Sequence, residues 1–156
     1  MIHYLVLVKR LLQKVFNSFL VRENCIKKNI LISKGFNKSR KNTIRLVGSN
    51  IYFGKNCHVG ANVTVSSFVM VASNVSFVGS DHDISNPDEV MFYSGRAEMR
   101  DIFLEDNVWI GHGAIVMDGV SVLEGSVVAA GSVVTKTFPK YSIIGGNPAK
   151  LIRSRL

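Results

Sequence analysis

The sequence predicts an all-β chain wound as a parallel β-helix, and three observations predict it. Between Val47 and Thr137 every sixth residue is apolar: Val47, Phe53, Val59, Val65, Val71 and Phe77, then Leu104, Ile110, Val116, Val122, Val128 and Val134. With about half of all residues apolar, such a run has chance odds on the order of 10⁻⁴. Three places after most of these stands a residue that tolerates a left-handed backbone: Asn50, Asn56, Asn62, Asn74, Asn107, Gly113, Gly119, Gly125 and Gly131. Asn and Gly adopt positive φ at least cost. A small residue often follows the apolar one at once, as in Gly48, Gly54, Gly60, Ser66, Ala72, Gly111 and Ala129. Period six with a turn residue per repeat means short strands separated by corners. Three strands close one triangular coil, and the apolar residue of each points inward.

The repeat breaks once. The step from Phe77 to Leu104 is not a multiple of six, so a loop over residues 79–101 must leave the coil. It carries Asp81-His82-Asp83, and an interruption in so regular a wall points to a use. Ahead of the coils, residues 2–20 are apolar with Lys9, Arg10 and Lys14 inserted. Leu5, Val8, Leu12, Val15 and Phe19 fall at helical spacing. The run lacks the roughly 18 uncharged residues of a membrane span and shows no signal-cleavage site. Two placements stay open for this helix: packing on the coil or a neighbouring subunit, where it would also cap open strand edges, or peripheral contact with a membrane.

Asn29–Ser33 and Thr43–Val47 read as short strands opening a first, irregular coil, with the polar loop GFNKSRKN between them. Phe138–Tyr141 ends the coils, because Pro139 cannot join a ladder internally. Gly145-Gly146-Asn147-Pro148 is a turn, and Ala149–Leu156 a short basic tail for which a helix is one option. The chain thus divides into a basic N-terminal part, residues 1–45, and a repeat domain, residues 46–156.

A chain of 156 residues that is 47% hydrophobic and 19% charged supports one domain with a core and excludes a disordered chain. Cys25 and Cys57 form no metal or redox spacing. Cys57 shares a coil position with Ile51 and Val63, which makes it a small buried wall residue. No disulfide framework is expected, in keeping with a reducing cytoplasm. The formal charge of +8 is uneven: residues 1–45 hold eleven Lys/Arg against the single acid Glu23, and the remainder eight against ten acids. The basic part is either a solvated surface or a region attracted to anionic headgroups or an acidic substrate. No recognition motif accompanies it, so nucleic acid is not an expected partner.

The repeats, the His-bearing loop, Val108-Trp109-Ile110-Gly111, the run from Ala129 to Lys136 and Gly146-Asn147-Pro148-Ala149-Lys150 follow one another in a telling order. Over residues 45–155 the chain resembles the hexapeptide-repeat acyltransferases. Within that family it is most similar to O-acetyltransferases of sugars, including maltose and galactoside acetyltransferases and those of surface polysaccharides. Acetyltransferases of chloramphenicol and streptogramins are near relatives. The resemblance implies a left-handed β-helix, a homotrimer, and acetyl-CoA as co-substrate with no metal.

Acetyl transfer to a hydroxyl needs a base, a cradle for the thioester oxygen and a slot for pantetheine; imidazole suits the first task. Of the four histidines, His3 falls in the N-terminal helix, and His58 faces outward as ordinary surface. His112 either lines the pantetheine path or is a turn-adjacent polar residue. His82 matches the family's catalytic histidine and is the expected general base. Asp81 and Asp83 either orient it or are solvated loop acids. Trp109 faces outward by strand alternation; the resemblance puts it in a cleft between subunits, and burial under the loop or a neighbour is the alternative.

The resemblance also places Gly111, Ala129 and Ala130 along the donor slot, although coil geometry alone asks for small residues there. Lys136, Lys150 and Arg153 would meet the phosphate end of coenzyme A. Asn62 coincides with a substrate-binding Asn of the maltose and galactoside branch, but a corner role explains it equally. The acidic pair of that branch is replaced by Ser66-Ser67, which argues against a maltose-like acceptor. On the loop, Tyr93, Arg96 and Arg100 either face the acceptor, an arginine suiting an acidic sugar, or are solvated.

The expected activity is acetyl transfer to a sugar hydroxyl of a cell-surface polysaccharide or its precursor, in the cytoplasm and at the inner face of the membrane. Three readings compete with it. They are detoxification of an antibiotic hydroxyl, a non-catalytic scaffold, and a zinc hydratase of the γ-carbonic-anhydrase type. The last needs three converging histidines, whereas His58, His82 and His112 are scattered in the sequence.

Overall fold

The computed structural model describes residues 28–156 as a left-handed, three-faced parallel β-helix. The helix expected over residues 2–20, His3 and Cys25 lie outside the described residues. The first coil consists of β1 (Ile30–Ile32), β2 (Asn37–Lys38) and β3 (Ile44–Leu46). The second is β4 (Ile51–Phe53), β5 (His58–Val59) and β6 (Val63–Val65); the third is β7 (Met70–Val71), β8 (Ser76–Val78) and β9 (Ile102–Leu104). The fourth is β10 (Trp109–Ile110), β11 (Ile115–Met117) and β12 (Ser121–Val122). The last holds β13 (Val127–Val128) and β14 (Val133–Val134), then β15 (Ser142–Gly146) and β16 (Ala149–Ser154). The first face stacks β1, β4, β7, β10, β13, β15 and β16; the second stacks β2, β5, β8, β11 and β14; the third stacks β3, β6, β9 and β12.

Strands this short follow from the period, since each repeat must supply both a face and a corner. Phe53, Val59, Val65, Val71, Phe77, Leu104, Ile110, Val116, Val122, Val128 and Val134 are each at most 3% exposed and form the column of the core. Fully burying side chains of this size contributes roughly 1.5–3 kcal/mol apiece. Cys57 is buried with them, its thiol against the carbonyls of Gly54 and Ala72 at 3.4 and 3.2 Å. Burial pushes that thiol above its ordinary pKa.

Val47 is the exception to the inward column, being 59% exposed. Leu46 takes the place beside Val65, one position farther back than the step from Phe53 to its partner Val71 would put it. An extra residue before β4 therefore moves the inward position back by one. The left-handed corners are as expected at Asn50, Asn56, Asn74, Asn107, Gly113, Gly119, Gly125 and Gly131, with φ from 56° to 75°. Asn62 is not among them: its Oδ1 accepts the Thr43 N–H at 2.9 Å and its Nδ2 donates to Asp101 at 3.0 Å. Phe68 holds a left-handed φ of 59° without the Gly or Asn that relieves it.

The basic tail is a strand, not a helix. Gly145 and Gly146, expected in the turn, end β15 instead; the chain reverses at Asn147-Pro148 alone, and β16 pairs antiparallel with β15 along the open edge of the first face. A free edge offers a full row of unpaired backbone groups, which outweighs the weak helical preference of so short a segment. Three buried serines stitch this end. Ser132 Oγ donates to Ala129 O at 2.7 Å and accepts the Gly146 N–H at 3.2 Å. Ser142 Oγ donates to Pro139 O at 2.7 Å, and Ser126 Oγ accepts the Ser142 N–H at 3.3 Å.

Candidate active site

The loop leaves the wall after β8, at the corner between the second and third faces. Val65 pairs with Leu104 on its far side, whereas Phe53 pairs with Val71 in an uninterrupted coil. The loop thus inserts more chain than a full turn of the wall contains. Its legs run antiparallel as a short stalk. The Ala97 N–H donates to Asp81 O at 2.9 Å, the Asp83 N–H to Gly95 O at 3.4 Å, and His82 bridges Arg96 between them. Arg96 Nη1 donates to Ser80 O at 2.8 Å. Two carboxylates pin the exit. Asp118 accepts the Arg100 N–H at 3.1 Å with the guanidinium 3.8 Å away, and Asp101 lies 3.5 Å from Arg45.

His82 is exposed on this stalk. Neither neighbouring acid is hydrogen-bonded to its imidazole. Asp83 Oδ1 instead accepts the Ser85 N–H at 2.9 Å, which holds that carboxyl below its usual range. Beyond the stalk the tip exposes Val90, Met91, Phe92 and Tyr93; Phe92 and Tyr93 meet edge to face at 5.1 Å.

A cavity of about 650 Å³ opens at the root of the stalk. Its floor is the Ser39–Asn42 turn of the first coil. Lys38 Nζ clamps that turn by donating to Ser39 O and Asn42 O at 3.0 and 2.6 Å. His58, Gly60 and Val78 form the wall side; Gly79, Ser80, Asp81, Arg96 and Met99 come from the loop. His58 faces outward, as expected, but onto this cavity rather than bare surface. Sequence reasoning missed Arg40, Lys41 and Asn42 here. The motif SRKN reads as a polar loop, and only the overlong first coil, which sets Lys38 beside Val59, carries it under the loop root. Of the two loop arginines, Arg96 lines the cavity and Arg100 is held by Asp118. Tyr93 sits at the tip, away from it.

The expected donor residues lie elsewhere. Gly111, Ala129 and Ala130 occupy the corner between the first and second faces, on adjacent coils. A Cβ on Gly111 would stand 2.6 Å from Ala130 N, so coil stacking itself demands glycine there. His112 caps the same corner, its Nε2 3.1 Å from Asn74 Nδ2. In the last coil Lys136 follows β14, its ammonium 5.5 Å over the Phe138 ring, while Lys150 and Arg153 ride on β16 beside Gly145 and Ile143. Trp109 is half exposed on the first face, in an outward ladder with Leu31, Tyr52 and Met70. Within one chain, therefore, the loop stands at the corner between the second and third faces, with Lys136 farther along that same corner. Gly111, Ala129 and Ala130 stand at the corner between the first and second faces, Lys150 and Arg153 on the added edge strand of the first face, and Trp109 on that face, opposite the loop. Among the described residues no group of three His, Cys, Asp or Glu could hold a metal.

Two family models match the coils: bacterial transferase hexapeptide (six repeats) over residues 101–136, and hexapeptide repeat of succinyl-transferase over residues 47–67. A candidate acetyltransferase of Schizosaccharomyces pombe is 39% identical over 114 residues, 68% of this chain and 54% of that protein. The galactoside O-acetyltransferase of Lactococcus lactis is 33% identical over the same shares of both chains, 68% and 54%. A hexapeptide-repeat-containing acetyltransferase from Vibrio cholerae, solved with acetyl coenzyme A, matches with a TM-score of 0.68 at 28% identity, over 80% of this chain and 67% of that one. The chain spans about half the length of these curated relatives. Coil, loop and motifs together define a hexapeptide-repeat transferase, and the chain belongs to the hexapeptide-repeat acyltransferase family.

Proposed function

We propose that the protein is an acetyl-CoA-dependent O-acetyltransferase acting on a sugar hydroxyl, of a cell-surface polysaccharide or its precursor, with His82 as general base. The observation that carries the reading is the stalk, which holds one imidazole outside a rigid wall, its chain neighbour Asp81 and bridge partner Arg96 lining a cavity roomy enough for a sugar ring. The galactoside O-acetyltransferase relatives and the acetyl-CoA-bound neighbour support the acceptor class and the donor.

His82 takes the acceptor hydroxyl proton as the oxygen attacks the acetyl carbonyl. Backbone N–H groups of an adjoining coil, already oriented, hold the oxyanion. The C–S bond breaks, the acetyl group stays on the sugar oxygen, and His82 returns its proton to the coenzyme A thiolate. No covalent enzyme intermediate forms. Gly111, Ala129 and Ala130 flank the pantetheine chain, with Lys136, Lys150 and Arg153 towards its phosphates.

The corner of Gly111, Ala129 and Ala130 and the loop corner of one chain are separated by the width of the second face, roughly 20 Å at about 3.3 Å per residue. The thioester on one protomer therefore meets His82 of a neighbour, in a homotrimer with Trp109 at the shared cleft. The outward ladder of Leu31, Tyr52, Met70 and Trp109, 39–61% exposed, supplies apolar surface for that contact. We place the enzyme in the cytoplasm at the inner membrane face, where the basic N-terminal part would meet anionic headgroups.

The test is thiol release from acetyl-CoA with a panel of sugars, native chain against His82→Ala. The expected loss is on the order of 10²-fold or more with an unchanged melting temperature. Equal rates overturn the assignment of the base, and a monomer by sedimentation overturns the shared cleft.

A further inference from the structure

We propose that the cavity at the root of the loop is a subsite for an anionic group, so that the acceptor sugar carries a carboxylate or phosphate near the reacting hydroxyl. The inference rests on the acetyl-transfer reading and adds the charge of the acceptor to it.

Three cations, Arg40, Lys41 and Arg96, line the cavity against one carboxylate, Asp81. At the exit of the loop and at the corner between the third and first faces, by contrast, the cations have carboxylate partners: Arg45 lies beside Asp101, Arg100 beside Asp118, and Lys140 beside Glu105 and Glu124. Among the described residues none of the three cavity cations has such a partner. Arg96 uses Nη1 on Ser80 O and keeps the rest of its fork for another acceptor. A guanidinium fork matches carboxylate and phosphate alike, in two parallel hydrogen bonds. Val78 and Met99 give the cavity an apolar side on which a sugar ring can lie.

The cavity also adjoins the base. Asp81 precedes His82, and Arg96 is its bridge partner on the opposite leg. An anion held by Arg96 is therefore held by the same stalk that carries the imidazole. The phosphates of coenzyme A are the rival occupant, but the cations assigned to them stand in the last coil, whereas Arg40 and Lys41 stand in the first.

The experiment uses the full chain and pairs of probes that differ only in charge. Glucuronate and glucose 6-phosphate are each compared with glucose by calorimetry. A uronate-containing disaccharide is compared with its carboxyl-reduced counterpart as acceptor. The expected results are binding of at least one charged probe with none of glucose, and kcat/KM at least tenfold higher for the charged disaccharide. The two calorimetric arms tell a carboxylate site from a phosphate site. In Arg40→Gln and Lys41→Gln the KM for the charged acceptor should rise about tenfold, while kcat and the KM for acetyl-CoA stay within twofold; Arg96→Gln, which also loses the stalk's bond to Ser80 O, should raise that KM at least as much and lower kcat besides. Binding of neither charged probe, equal use of the charged and reduced acceptors, or a rise in the acetyl-CoA KM instead, overturns the subsite. Failure to bind acetyl-CoA in the same calorimeter would instead overturn the acetyl-transfer reading.

Discussion

Two corners of the same prism treat charge in opposite ways. Between the third and first faces, Lys140 lies 3.0 Å from Glu124 and 4.0 Å from Glu105, and Tyr141 Oη donates to Glu124 at 3.1 Å. Every charge there has a partner one coil away. In the cavity between the second and third faces, at the foot of the loop, Arg40, Lys41 and Arg96 gather around the one carboxylate of Asp81, while Asp118 at the same corner is taken by Arg100. The first corner is what stacking needs; the second holds charge that stacking does not use. The difference teaches where to look for function in a repeat protein: at the corner whose polar groups the repeat leaves unmatched.

The sharpest way to break the comparison is to remove the loop. Excising residues 80–100 returns Phe77 and Leu104 to the six-residue spacing of the other successive inward positions from Phe53 to Val134. The expected outcome is a chain with the circular dichroism of the native coil and no detectable acetyl transfer. Loss of the β signal would mean that the loop belongs to the fold.

The wall should be the converse case. Phe77 is fully buried in the core column, so Phe77→Ala should cost about 3–5 kcal/mol by urea denaturation. A smaller loss would mean that neighbouring coils collapse into the gap.

Cys57 provides a gentler probe. Its thiol is buried and its pKa raised by burial, so peptide mapping should find it unmodified by iodoacetamide at about pH 8 until the chain is unfolded. Rapid labelling of the folded protein would mean that the wall opens locally.

The smallest expected effect is at the matched corner. Hydrogen bonds from Lys140 and Tyr141 hold Glu124 below its usual pKa, and Glu124 raises that of Lys140. A depressed carboxyl adds stability above its unfolded pKa and loses it as pH falls through the folded value. A raised ammonium adds stability below its unfolded pKa and loses it as pH rises through the folded value. Melting curves should therefore show this contribution between the two ranges, and Glu124→Gln should flatten the acid limb slightly, since both groups are exposed and screened. An unchanged acid limb would mean that solvent already screens the pair completely.

The sequence by itself determined the wall, since a residue's inward, outward or corner place depends only on its position in a period of six. The burial of Phe53 and Cys57, the turns at Asn56 and Gly113 and the expulsion of His82 all follow from that local rule. What the tertiary structure decided is which residues stack, because vertical neighbours depend on how much chain each corner consumes. An added residue put Leu46 in the place read for Val47, and the overlong first coil carried Arg40 and Lys41 beneath the loop. Asn62 turned sideways to Thr43 and Asp101, and the tail became β16, because a side chain or strand edge bonds whatever the stacking sets beside it.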